Sequence, residues 1–156
     1  MLSHPVPAKL SPDLLKALHG ISSVRLFPKG TTLFQRGSEV TGFYVVETGK
    51  VHVLLLTGRG QNQLLEVVGP GAVLGLSESI TGGEYRITAE AGDETTATYI
   101  PREEFLEFLR AHGESCMQVL RLLSQDLHRW YGEYRNATAH SGRPRHWPLD
   151  VPLKIT

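Results

Sequence analysis

A glycine-rich segment near the middle of the chain has the residue types of an anion-binding loop. Gly69-Pro70-Gly71 ends an apolar run, and a turn or short helix begins near Gly75. Glycine permits close approach of the backbone to a ligand, main-chain amides at a helix start attract an anion, and a following arginine can pair with it. An ordinary turn beside a solvated arginine would look the same, so both interpretations stay open. The candidate ligand-binding residues are Gly75, Leu76, Ser77, Glu78, Tyr85, Arg86, Ile87 and Thr88.

The elements that must position this segment have the pattern of short β-strands. From Ser22 to Ile100, apolar or alternating runs are separated every few residues by glycine and proline turns. Many short strands with regular turns indicate a sandwich or barrel rather than alternating strands and helices. The predicted strands are residues 24–27, 31–34, 42–47, 50–56, 63–68, 85–91 and 95–100.

Helical signals flank the strands. Ser11 is a favourable N-cap before Pro12 at the first helical position, and Gly20 is placed to end this helix. A second helix is expected from Pro101 to the break at His112-Gly113. The fold class that follows is mainly β with flanking helices.

A further helix, predicted for residues 114–135, carries an apolar seam with alternating spacings of four and three residues. This spacing favours pairing with a second helix, so we expect a homodimer. Val119 and Leu122 widen the stripe, and the helix could instead pack wholly on its own domain. The predicted dimer-interface residues are Cys116, Leu120, Leu123, Leu127, Trp130 and Tyr134.

The composition excludes several functional classes. Lysine plus arginine and aspartate plus glutamate each number 16, so net charge does not point to nucleic acid or a membrane surface. No apolar run could span a bilayer, and the N-terminus lacks the apolar core of a signal peptide, so we expect a cytoplasmic protein with no membrane partner. The single cysteine, Cys116, precludes an internal disulfide and a multi-cysteine metal site.

Four stretches, in order, carry a family resemblance. They are FPKGTTLFQRG (27–37), FYVVETGKV (43–51), residues 71–76 with 86–91, and IPREEF (100–105). Together they resemble the cyclic nucleotide-binding domain, specifically the sensory domain of Crp/Fnr-type regulators. The resemblance implies a double-stranded β-helix, a jelly-roll or cupin-like β-roll, followed by a long dimerisation helix. The expected segments are a β-roll with short helices (1–112), the dimerisation helix (113–136) and an irregular tail (137–156).

Two positions depart from the family's cyclic AMP binders. Where these carry a glutamate that holds the ribose hydroxyl, this chain has Leu76, which accepts no hydrogen bond. The family's phosphate-binding arginine matches Arg86 when counted from Leu76, but Tyr85 when counted back from Ala91. A cyclic nucleotide is therefore the candidate ligand, and the sequence leaves open whether it binds. No other cofactor is expected.

The end of the chain departs further from the resemblance. Full-length regulators of this kind continue into a helix-turn-helix domain, whereas here about twenty proline-interrupted residues follow Asn136, with no helical or strand period. We expect a tail that is either disordered or draped on the surface. This chain alone should not read DNA sequence.

The sequence also lacks the residue patterns of a cupin-type metal site and of a nucleophilic serine. His52 is alone on its predicted strand, so a cupin-type metal site lacks its paired histidines, and no serine lies in a G-x-S-x-G turn. His52, Cys116 and His128 are nominal haem ligands, but a surface or seam position suits each better. We expect no metal and no enzyme activity, and a metal-dependent cupin-type enzyme is the least favoured alternative.

The predicted function is therefore a non-enzymatic sensory or regulatory module that binds a small anionic ligand and signals through its dimer helix. The alternative is an adaptor with a vestigial pocket, whose partner is another protein. Large aromatic residues near the helix end suit a protein interface or coverage of the barrel's edge equally. They are Trp130, Tyr131, Tyr134 and Trp147.

Overall fold

The computed structural model describes residues 10–56 and 60–125. Within these residues, eight antiparallel strands form two four-stranded sheets, and helices lie before, between and after them. The strands are β1 (Ser23–Phe27), β2 (Thr32–Phe34), β3 (Gly42–Thr48), β4 (Val51–Leu56), β5 (Asn62–Val68), β6 (Val73–Leu74), β7 (Thr88–Ala91) and β8 (Thr95–Pro101). The helices are α1 (Pro12–Ala17), α2 (Leu76–Thr81), α3 (Arg102–Ala111) and α4, whose described part is residues 113–125.

The two sheets form the predicted jelly roll. The first sheet has the order β1-β8-β3-β6 and the second has the order β2-β7-β4-β5. Neighbouring strands in space are mostly distant in sequence; β1, for example, pairs with β8 from Ser23 opposite Tyr99 to Phe27 opposite Thr95. The mainly β fold class with flanking helices is therefore confirmed.

Strand alternation divides the apolar residues into two cores. In β3, Tyr44 and Val46 point into the roll, whereas Phe43 and Val45 point outwards to the helices, because successive side chains of a strand face opposite ways. The roll core comprises Leu33, Phe34, Val40, Tyr44, Val46, Val51, Val53, Val68, Ala72, Leu74, Tyr85, Ala89, Ala91, Ala97 and Tyr99. The helix-side core comprises Leu10, Leu14, Leu18, Phe43, Val45, Leu76, Ile100, Phe105, Leu109, Val119 and Leu122.

The first helix begins as its sequence predicts and ends earlier. The Ser11 hydroxyl accepts a 3.1 Å hydrogen bond from the amide of Leu14, which is the expected N-cap. The α-helix ends at Ala17 rather than at Gly20, and residues Leu18–Ile21 continue as a 3-10 helix. Leu18 is almost fully buried in the helix-side core, and its packing holds this tighter turn. Within the described ranges, no helix is long and apolar enough to cross a membrane.

Two strand predictions are corrected by the structure. The strand predicted for residues 85–91 begins only at Thr88, because the residues before it leave the ladder where Tyr85 turns into the roll. The two-residue strand β6 was not predicted, since it lies between turn residues and is too short to show a period; it pairs with Tyr44 and Val45 of β3.

Candidate functional site

The candidate loop turns at Gly75, between β6 and α2. Gly75 has φ +90°, in the left-handed region that disfavours residues with a Cβ. A Cβ there would also lie 3.3 Å from the Gly42 carbonyl oxygen and 3.3 Å from the Tyr85 ring. The glycine thus brings the start of α2 close to the backbone of β3. We call residues 75–88 the cassette.

Leu76, the first residue of α2, does not face the roll interior. Its side chain is 6% exposed and belongs to the helix-side core, together with Val119 and Leu122 of α4. The position at which the resemblance would place a ribose-binding carboxylate is therefore an apolar contact between the cassette and the helices. Ile80, one turn later, packs partly against the same core.

Tyr85 occupies the inward position of the cassette. Its ring is buried in the roll core and stacks on Phe34 at a centroid distance of 4.1 Å. Its hydroxyl donates to the Gly42 carbonyl oxygen at 2.6 Å and accepts from the amides of Gly42 and Thr41, both at 3.2 Å. The hydroxyl is therefore engaged by the backbone, and of the two residues Tyr85 and Arg86 it is Tyr85 whose side chain points into the roll.

Arg86 lies on the outside of the cassette. Its side chain is exposed, and its main-chain amide donates a 3.4 Å hydrogen bond to the Glu78 carboxylate of α2. Among the described residues its guanidinium forms no ion pair. Glu78 thus joins the two ends of the cassette, while the arginine remains available to a ligand at the surface.

The other candidate residues complete the loop but take structural roles. Ser77 is half-buried and its carbonyl oxygen accepts from the Thr81 hydroxyl at 3.3 Å. Ile87 packs partly against the roll core, and the Thr88 hydroxyl accepts from the Arg36 amide at 3.0 Å. The structure therefore gathers all eight residues in one loop, but their side chains diverge instead of lining a common polar surface.

Arg102 is a cassette contact that the sequence did not reveal. Its Nε donates to the Ser79 carbonyl oxygen of α2 at 3.0 Å, and its Nη1 lies 2.9 Å from the Glu103 carboxylate. Ser79 is fully buried, and its hydroxyl oxygen has no hydrogen-bond partner among the residues that the structure describes. The arginine ties α2 to the start of α3. Ser79 and Arg102 are 23 positions apart, and no local sequence pattern relates them, so the contact becomes evident only in the folded chain.

A second arginine lies against the roll core, at β1. The guanidinium of Arg25 is 3.7 Å from the centroid of the Tyr99 ring, and its Nη1 donates to the Tyr44 hydroxyl at 3.1 Å. Burial raises the pKa of the Tyr44 hydroxyl above its ordinary value of 10.0, and the positive charge of Arg25 opposes that rise. Arg25 thus places a cation on the aromatic surface of the roll core.

The predicted dimer helix packs on its own domain and still exposes apolar residues. Val119 and Leu122 are buried in the helix-side core, with Cys116 and Leu123 partly buried against it. Leu120 is 52% exposed, and Met117 beside it is also exposed. The helix therefore uses the widened part of its stripe within one chain and leaves part of the seam at the surface. Leu127, Trp130 and Tyr134 lie outside the described residues.

No group of three or more metal-ligating side chains is found in residues 10–56 and 60–125. His52 lies on β4 opposite Glu90 of β7, with its ring against Gly92. Cys116 is a free, half-buried cysteine of α4, and His128 lies beyond the described part of the chain.

Comparison with known proteins identifies a matching family model. The model described as cyclic nucleotide-binding domain matches residues 24–112. The cyclic AMP receptor protein of Thermus thermophilus is 28% identical over 132 residues, which are 81% of this chain and 61% of that protein. The transcriptional activator protein FnrA of Stutzerimonas stutzeri is 28% identical over 123 residues, which are 78% of this chain and 50% of that protein.

Solved structures agree with these sequence relatives. The catabolite activator protein of Thermus thermophilus has a TM-score of 0.73 at 26% identity, covering 83% of this chain and 61% of that chain. The sensor domain of the transcriptional regulator DNR from Pseudomonas aeruginosa has a TM-score of 0.65 at 26% identity, covering 80% of this chain and 83% of that chain. This chain thus spans about three-fifths of the length of its Thermus relatives.

Proposed function

Since the chain belongs to the cyclic nucleotide-binding domain family, we propose that it is a non-enzymatic sensory module that binds a small anionic ligand at the cassette and signals through α4. The observation that carries this proposal is the cassette itself: a glycine turn at Gly75 and an exposed Arg86 that forms no ion pair with the described residues, linked through Glu78. Relatives named as a cyclic AMP receptor and as transcriptional activators support a regulatory role. They also support a cytoplasmic location.

A cyclic nucleotide is the first ligand to test, although its binding should be weak. The inward position is held by Tyr85, whose hydroxyl is already bound to the backbone, so a phosphate would depend on main-chain amides near Gly75 and on Arg86 from outside. A ribose hydroxyl near Leu76 would find no acceptor on that side chain, and an unpaired buried hydroxyl costs about 1–3 kcal/mol.

The signal would pass from the cassette to the dimer helix through the helix-side core. Leu76 packs in the same cluster as Val119 and Leu122, so a ligand that moves the start of α2 would change the packing of α4 through this shared core. We propose that two copies pair through the exposed side of α4, with Leu120 at the centre of the described seam. The proposed segments remain the roll (1–112), the dimerisation helix (113–136) and the tail (137–156).

A second candidate function is a protein-binding adaptor. It is favoured by the closed cassette: the Tyr85 hydroxyl has backbone partners, and Arg102 fixes α2 without any ligand. In this case the exposed apolar side of α4 would be the working surface, and its partner would be another protein.

Thermal unfolding with a ligand panel separates the two functions. A ligand that binds only the folded state raises the melting temperature by mass action. We expect a rise with at least one of cyclic AMP, cyclic GMP and the cyclic dinucleotides at millimolar concentration, and a smaller rise in Arg86→Gln. The matched control is Arg110→Gln, which removes an exposed arginine from the last turn of α3. No rise with any of these compounds would favour the adaptor.

A further inference from the structure

The outer face of β1 carries the most exposed apolar side chains of the described chain. Val24 is 67% exposed and Leu26 is 75% exposed. Arg25 and Phe27, which alternate with them, point inwards to Tyr44 and Tyr99 of the roll core. Val24 and Leu26 therefore form one regular face of the strand.

β1 is also an edge strand. It pairs with β8 on one side and is the outermost strand of the first sheet. Among the described residues its other side therefore has no hydrogen-bonded strand beside it. An edge strand with an exposed apolar face is a hazard for aggregation, and proteins usually cover such an edge with another segment. The face of the sheet on which Val24 and Leu26 lie is the face that carries the helix-side core further along, at Phe43 and Ile100.

We propose that residues 149–155 of this chain add to β1 as a further strand. Over its full length the tail has no single period, but these residues alternate between apolar and other side chains: Leu149, Val151, Leu153 and Ile155 are separated by Asp150, Pro152 and Lys154. A period of two gives one apolar face, which would continue the face of Val24 and Leu26. The sheet would then extend by one strand at its open edge.

Pro152 is compatible with this pairing in one orientation. Residues whose side chains share a face of a strand also direct their N–H groups to the same lateral side. With the apolar face beside Val24 and Leu26 and the added strand antiparallel to β1, the amides of Val151, Leu153 and Ile155 point to β1, and Pro152 lies on the opposite, solvent side. Proline is tolerated at a sheet edge where its missing N–H would face solvent.

The path of the chain favours β1 over the other apolar edge. β5 is an edge strand of the second sheet and exposes Leu64 and Val67. α4, from which the tail continues, packs through Val119 and Leu122 on the outer face of the first sheet, to which β1 belongs. The last described turns of α4 therefore lie on the same side of the roll as Val24 and Leu26.

Residue-resolved amide hydrogen exchange of the full chain tests the proposal. The amides of Val151, Leu153 and Ile155 should exchange at least about tenfold more slowly than those of Asp150 and Lys154, because only the former are hydrogen-bonded to β1. Leu26→Lys and Leu153→Asp should each abolish this alternating protection. Uniformly fast exchange of residues 149–155 in the unaltered chain would overturn the proposal without recourse to any variant.

Two control variants carry matched charge changes at positions outside the proposed contact. Val67→Lys puts the same charge on the edge strand of the second sheet, and Lys154→Asp changes the solvent side of the added strand; both should leave the protection intact. Loss of protection in Val67→Lys would show that the tail docks on β5 instead. Labelled Leu26→Lys chain mixed with unlabelled Leu153→Asp chain should stay unprotected, and recovery in the mixture would show that the tail docks on a second copy, contrary to the proposal.

Discussion

The Tyr85 hydroxyl donates a 2.6 Å hydrogen bond to the carbonyl oxygen of Gly42, 43 residues earlier in the chain. This bond fixes the far end of the cassette to the first residue of β3, while Gly75, at the near end, lies close to the same carbonyl. Both ends of the cassette thus lie at the Gly42 carbonyl of the roll. Arg86, the residue after Tyr85, is exposed at the surface.

Tyr85→Phe should lower the free energy of unfolding by about 1–3 kcal/mol, because it leaves the buried amide and carbonyl of Gly42, and the part-buried amide of Thr41, without the hydroxyl as partner. Urea denaturation measures the loss. Tyr99→Phe is the control, since it removes a hydroxyl from the same core that makes no hydrogen bond with the described residues. An equal loss in both variants would mean that the hydrogen-bonded Tyr85 hydroxyl contributes no more than the Tyr99 hydroxyl.

Leu76→Glu should destabilise the fold by about 2–4 kcal/mol at pH 7, because the carboxylate enters the helix-side core. Burial would raise the pKa of the new carboxyl, so the folded state would hold its proton more tightly and the loss should be smaller at pH 4 than at pH 7. Urea denaturation at both pH values measures it, and Leu76→Met is the control, expected to cost less than about 1.5 kcal/mol. A variant as stable as the original chain would show that Leu76 can turn to solvent.

Leu120→Glu should convert a dimer into a folded monomer, because Leu120 is exposed on α4 and a charge there opposes helix pairing. Light scattering after gel filtration gives the mass, and circular dichroism confirms folding. Gln125→Glu places the same charge on an exposed residue of α4 on the side away from Leu120, and should remain dimeric. A monomeric original chain at high micromolar concentration would contradict the proposed seam.

Above pH 10 the protein should lose stability through Tyr44. Its pKa is raised in the folded state, mainly by burial, so the folded state keeps a proton that the unfolded state releases. The free energy of unfolding therefore falls as pH rises past the unfolded value of about 10. Urea denaturation at pH 9 and pH 11 should show a smaller fall in Tyr44→Phe, and an equal fall in both proteins would place the effect elsewhere.

The sequence predicted the fold more fully than the site, and the residues show why. Strand periods and glycine turns are local, so most strands and the Ser11 cap were found at or within a residue or two of their places. The inward orientation of Tyr85 goes with its hydrogen bond to Gly42, and Leu76 lies in a core that it shares with Val119 and Leu122; these partners are all distant in sequence. Counting along the chain could not decide between Tyr85 and Arg86, because the two lie on opposite sides of a loop whose path is set by these contacts.

Titration calorimetry with cyclic AMP tests the central proposal most directly, on the original chain, on Arg86→Gln and on the control Arg110→Gln. A cassette that holds a small anion with Arg86 should give measurable, weak binding that falls at least about tenfold in Arg86→Gln and is unchanged in the control; a charge-assisted hydrogen bond is worth enough for that loss. Binding that is equal in all three proteins would contradict the role of the cassette arginine. No heat from the original chain, together with no thermal shift in the wider panel, would contradict the sensory function itself.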